Sequence, residues 1–224
     1  MSNTEFPCSE SPSMSWIRRP LGEMCSRAAL VECERGATVT VISGGDSGLL
    51  GMAGPMLRSA AEIGGSAAAD EILLLPGISG WQYASGVLGA PFNGGVVALP
   101  LCLDTLEESV LMVRLDRICA SDLPVAVYML RHNGEFYPEV YVSDEPATAI
   151  TARRQGFLCR AMATYRPAGT PCFLLTGLPR SDRVEEGSLV TLCDLLGRAQ
   201  EDSLLVVLGD HWQRIGRRVT AVTW

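Results

Sequence analysis

Two glycine-rich turns carry most of the chemistry that the residue types of this chain suggest. The first, Ser43-Gly44-Gly45-Asp46-Ser47-Gly48, follows the β-branched run Val39-Thr40-Val41-Ile42 and precedes an apolar segment of helical composition. Glycines let backbone approach a small ligand, and a helix opening after such a turn presents unpaired N–H groups to it. The second, Pro76-Gly77-Ile78-Ser79-Gly80, follows a short apolar run over residues 71–75. Two such turns after neighbouring parallel strands would line one crevice, the place where open α/β sheets bind ligands. The first turn lacks the Gly-Lys-Ser/Thr of a Walker loop, and its glycine spacing is not that of a dinucleotide fingerprint. Glycine content alone fits a tight structural turn equally well, and Asp46 could simply cap the helix that follows.

Side-chain chemistry is otherwise sparse. The 18 basic residues are all arginine, which excludes Schiff-base chemistry and a Walker-type lysine. A net charge of −7 without a basic run argues against nucleic-acid binding. Eight cysteines form no Cys-x-x-Cys pair, and only His132 and His211 could join them, so no metal site is expected. Scattered cysteines in a chain with an ample core read as reduced thiols and a cytoplasmic home.

The elements that position the turns follow from apolar patterning. Residues 1–14 are polar, with no basic and apolar succession of a signal peptide, and read as a disordered tail. Residues 72–103 carry no charge, but Pro76, Pro91 and Pro100 interrupt them, so no membrane span is expected. Helices are expected at 23–34, 49–63, 79–88, 105–120, 148–165 and 192–199. Strands are expected at 37–43, 71–75, 96–101, 124–130, 171–176, 204–208 and 218–223, with a possible short one at 139–142. Residues 184–190 are left unassigned. This alternation implies an α/β fold with a mostly parallel sheet. Turn character at 92–95 places a domain boundary there, separating residues 15–94 from 95–224.

The run ISGGDSGLLGMAG, then LLLPGISG with LGAP beyond it, then PVAVYM, resembles the tetrapyrrole methylases, which use S-adenosylmethionine in corrin and sirohaem synthesis. The closing segments TPCFLLTGLPRSDRVEEGSLVTLCDL and SLLVVLGDHWQRIGRRVTAVTW are similar to that family's closing layout. Gly51-Met52-Ala53 is most similar to the precorrin-3B C17-methyltransferases, which methylate and contract the corrin ring. The resemblance implies two α/β domains with a cleft between them, and S-adenosyl-L-methionine bound largely by backbone. The matching positions are Gly45, Asp46, Ser47, Ser79 and Gly80, with Met129 against the adenine and Leu178 as a backbone contact to the adenosine. It also implies a precorrin substrate of cobalamin synthesis and a homodimer. No catalytic side chain is assigned, because methyl transfer depends mainly on orientation. Precorrins bear many carboxylates, so Arg18, Arg19, Arg131, Arg153 and Arg154 are candidate anchors, with solvated surface as the alternative role for each, and His132 could serve ring chemistry.

The sequence departs from the family in three places. The family's opening strand and Gly-x-Gly-Pro-Gly loop have no counterpart here, so the N-terminal domain is expected to be incomplete. The Ser-x-Ser-Asp-type segment reads ALPLCLDTLEES, and an Asn-Pro pair is replaced by Met129-Leu130. A non-catalytic relative, keeping the fold as a binding or scaffold subunit, is therefore the alternative reading.

Overall fold

The β-branched and apolar runs nearest the N-terminus do not form strands. In the computed structural model, which describes residues 21–141, 143–178 and 183–222, residues 37–43 and 72–79 form no ladder with any described segment. The polar tail, Arg18, Arg19, Val142 and Thr223 lie outside the described residues. Ile42 is 87% exposed, Leu73 81% and Leu75 70%. Their composition favours an extended backbone, but a strand exists only through a neighbour that takes its hydrogen bonds.

The chain divides into two units, one reaching Ser79 with residues 140–142, the other holding Gly80–Glu139 and Ser143 onward. The division falls after Ser79, inside the stretch 15–94 read as one domain. The first unit is built on helices α1 (Leu21–Glu34) and α2 (Ala53–Asp70). Their buried residues are small (Ser26, Ala29, Ala53, Ser59, Ala60), which allows the two helices to approach closely. Arg27 pairs with Glu62 across them at 2.5 Å. Helix α2 begins four residues later than expected and continues past a kink at Gly65, whose φ is 76°.

The second unit contains α3 (Gly80–Leu88), β1 (Gly89–Ala90), β2 (Val97–Pro100), α4 (Glu108–Cys119), β3 (Val125–Tyr128) and α5 (Ala147–Tyr165). It continues with β4 (Pro171–Thr176), β5 (Arg183–Ser188), α6 (Leu192–Gly197), β6 (Leu204–Val207), β7 (Trp212–Ile215) and β8 (Arg218–Ala221). Residues 139–141 form no strand. Five strands make one sheet in the order β2-β3-β6-β4-β5, and β1-β8-β7 make a smaller one.

The larger sheet is mixed, against the expectation of a mostly parallel one. Only β2 and β3 pair in parallel; β3–β6, β6–β4 and β4–β5 are antiparallel. The six residues between β4 and β5 are too few for the crossover that a parallel pair requires. Because β6 opposes both β3 and β4, strands β2, β3 and β4 run in one direction and end on one edge.

Alternating side chains cover the two faces of this sheet. Val125, Val127, Cys172, Leu174, Leu205 and Val207 pack with Leu111 and Leu115 of α4, Leu158 and Met162 of α5, and Leu192 to Leu196 of α6. Ala126, Phe173, Leu175, Leu204 and Val206 face the other way, against Ala84 and Leu88 of α3, Phe92 and Val219.

Candidate ligand site

The two glycine turns meet within the first unit, and Asp46 joins them. Its Oδ2 accepts the N–H of Gly77 at 3.0 Å, and its Oδ1 accepts that of Gly48 at 2.8 Å. The Gly77 bond foremost, then the Gly48 bond, holds the carboxyl below the usual carboxylate range. Ser47 Oγ donates to the Leu75 carbonyl at 3.3 Å. The backbones touch so closely that a β-carbon on Gly77 would stand 2.2 Å from the Gly45 carbonyl oxygen. Gly45 itself has φ of 70°, a conformation glycine adopts without strain.

Asp46 therefore ties two loops together and does not cap α2, which starts at Ala53. The N–H groups at the start of α2 are used internally: Met52 N donates to Ser43 Oγ and Ala53 N to the Ser47 carbonyl. Pro55 has no N–H to offer. The Met52 and Ala53 amides, expected among the donors that this helix end offers a ligand, are therefore spent within the turn. Gly44, Gly45 and Gly48 of the first turn and Pro76, Gly77 and Ile78 of the second are exposed. Ser79, at the end of the second turn, is buried.

In the second unit Gly80, Met129 and Leu178 lie along one edge of the sheet. Met129 follows β3 and Leu178 follows β4, two strands that end on the same side with β6 between them. Two strand spacings separate them, about 10 Å. Met129 has φ of 51°, unusual for a residue with a side chain and a common mark of functional sites. Tyr128 links this edge to α3: its hydroxyl accepts the Trp81 N–H at 2.8 Å. A β-carbon on Gly80 would meet the Tyr128 ring at 3.2 Å. Burial raises the Tyr128 phenol, partly offset by the Trp81 bond, so it stays a neutral acceptor. Sequence reasoning missed Tyr128, because its partner lies 47 residues away.

The loops that follow β2 and β3 on this edge are braced by α5. Arg154, read as a candidate carboxylate anchor or as solvated surface, is buried and donates to the carbonyls of Leu101, Leu103 and Leu106 at 3.2, 2.9 and 2.8 Å. Its guanidinium is spent on holding the loop after β2. Arg166, at the other end of α5, donates in the same way to Cys119, Ser121, Leu123 and Leu208 at the opposite edge. Arg153 pairs with Glu108 and Glu145, and Arg131 with Glu135.

His132, a candidate for ring chemistry, is held at both ring nitrogens. Nδ1 accepts the Gly134 N–H at 3.0 Å, so the proton sits on Nε2, 2.6 Å from Asp104 Oδ1. Burial raises Asp104, and the charges of His132 and Arg154 oppose that. With Thr151 bonded to the His132 backbone and to Glu135, the cluster fixes the loop after β3.

No protein-family model matches the chain. Its fold is that of the tetrapyrrole methylases. It superposes on the crystal structure of the methyltransferase CobJ with a TM-score of 0.71 at 21% identity, covering 91% of this chain and 77% of that one. It also matches uroporphyrin-III C-methyl transferase from Thermus thermophilus complexed with S-adenosyl homocysteine, with a TM-score of 0.55 at 14% identity, covering 84% and 73%. In sequence it is 29% identical over 197 residues to the cobalt-factor III methyltransferase of Priestia megaterium, 87% of this chain. It is 28% identical over 192 residues, 84% of this chain, to the probable cobalt-factor III C(17)-methyltransferase of Salmonella typhimurium. The chain spans 33% of the length of the first of these relatives and 69% of the second.

Proposed function

We propose that this chain binds S-adenosyl-L-methionine and acts as a methyltransferase on a corrin-pathway tetrapyrrole, of the C17 type. The observation that carries the reading is the Asp46 bridge between the two glycine turns, in a chain whose curated relatives bear cobalt-factor III methyltransferase names. The candidate donor contacts are Gly45, Asp46, Ser47 and Ser79, and, taken separately, Gly80, Met129 and Leu178. The fit is one of backbone: Asp46 and Ser47 have their side chains committed to the turns, beside the exposed glycines Gly44, Gly45 and Gly48. Bound there, the donor supplies an electrophilic methyl group on a sulfonium.

The chain's own contribution is placement. Tyr128 fixes the start of α3, Arg154 and the His132–Asp104 pair fix the loops after β2 and β3, and Met129, in the left-handed region, follows β3. Such rigidity suits a reaction whose main demand is orientation. A tetrapyrrole rich in carboxylates would need cations beyond Arg131, Arg153 and Arg154, each of which already has partners. Among the described residues no helix is long and apolar enough to cross a membrane. We place the protein in the cytoplasm as a homodimer, supported by the exposed Ile42, Leu73, Leu75 and Ile78, whose burial would favour association.

The test is transfer of labelled methyl from S-adenosylmethionine to cobalt-factor III. Label in the tetrapyrrole supports the reading. Donor binding without transfer supports the alternative, a binding or scaffold subunit, which the lack of strand ladders at 37–43 and 72–79 among the described residues favours.

A further inference from the structure

Away from the residues discussed so far, Cys159 on α5 and Cys193 on α6 place their Sγ atoms 2.8 Å apart. Both are free thiols, Cys193 exposed and Cys159 half-buried. A disulfide bond is about 2.05 Å long, so less than an ångström of movement would join them. The two helices lie on the same face of the sheet, packed on the same core. The remaining thiols of this unit differ. Cys102, Cys119 and Cys172 are buried, and burial pushes Cys102 and Cys172 up to about 12 and Cys119 to about 11.

We propose that Cys159 and Cys193 form a dithiol site that takes small disulfides of the glutathione class and closes to an intramolecular disulfide. Exposed Cys193, as its thiolate, attacks one sulfur of the incoming disulfide. That S–S bond breaks, one small thiolate leaves, and a mixed disulfide remains on Cys193. Cys159 then gives up its proton, attacks Cys193 Sγ and expels the second small thiolate. Two protein thiols are thereby oxidised by two electrons, the small disulfide is reduced to two thiols, and the protein's two protons end on them. The order of attack follows from exposure and from proton affinity. Burial, and after it the neighbouring Cys193, push the Cys159 thiol up to about 12, with Arg160 beside it pulling the other way. Cys159 is thus the resolving thiol.

The experiment treats the full chain with oxidised glutathione and maps unreduced peptides by mass spectrometry. The expected result is a Cys159–Cys193 cross-linked peptide in the natural sequence. In Cys159→Ser the glutathione adduct on Cys193 should rise at least roughly tenfold, since the intramolecular competitor is gone. Exposed Cys33 on α1 reports general reactivity and should carry the adduct equally in both proteins. In Cys193→Ser, Cys159 should stay unmodified. Equal Cys193 adduct with and without Cys159 overturns the proposal. So does a chain that stays reduced at both positions while Cys33 reacts, or an adduct on Cys159 in Cys193→Ser.

Discussion

Replacing Gly77 with alanine tests whether the contact between the two turns shapes the site. The new β-carbon would stand 2.2 Å from the Gly45 carbonyl oxygen and 2.9 Å from its carbon. Such contacts essentially never fall below 3.0 Å, so the turns must part by at least 0.8 Å (3.0 − 2.2). Both obstructing atoms are backbone, and no rotamer can absorb the clash. The Gly77 N–H to Asp46 bond, now 3.0 Å, would stretch to about 3.8 Å, beyond the length at which a hydrogen bond survives. Overpacking of this kind costs about 1–3 kcal/mol. Gly77 is exposed, so the chain can relax outward and the lower half of that range applies. If the joined turns are the form that holds the donor, affinity for S-adenosylmethionine should fall by roughly tenfold, the equivalent of ~1.4 kcal/mol. Calorimetric titration reads the affinity, and hydrogen exchange at the Gly77 amide reads the bridge. A variant with a freely exchanging Gly77 amide and undiminished affinity would refute the link between the bridge and binding.

Two further predictions concern the supports. Arg154→Met keeps much of the apolar stem but strands the carbonyls of Leu101, Leu103 and Leu106, so urea unfolding should show a loss of about 3 kcal/mol. A loss below about 1 kcal/mol would mean that water replaces the guanidinium. Glu135 is raised by burial but lowered more by Arg131 and Thr151, and lies below its ordinary value of 4.5. A depressed carboxyl stabilises the fold above its unfolded pKa and loses that contribution as pH falls through the folded one. Stability should therefore fall as pH drops below about 4.5, and Glu135→Gln should flatten that slope in thermal melts; an unchanged slope contradicts the assignment.

Much of the second unit was legible because its core strands are short apolar runs bounded by turn residues. Strand β4 spans the expected residues end to end, and β2, β3 and β6 fall within their expected ranges. Composition could not say which extended runs find partners. Val39–Ile42 and Leu73–Leu75 have strand chemistry and no described ladder. Strand β7 was missed because Gln213 and Arg214 hide it, although Gly216, with φ of 60° in the two-residue turn to β8, is a hairpin signal. The glycine turns were expected together at the ends of neighbouring parallel strands; they do meet, but without those strands, and the agent of it, Asp46, was read as a contact or a cap. Arginine roles were the least legible. Residue type announces a cation but not that Arg154 and Arg166 are buried among carbonyls 42 to 53 positions away.

The central claim is that the paired glycine turns hold a methyl donor, and titration of the full chain with S-adenosylmethionine and S-adenosylhomocysteine tests it most directly. The account predicts saturable binding of both at micromolar concentration, weakened by Gly77→Ala. The absence of saturable binding at high micromolar donor, with the chain folded, would contradict it.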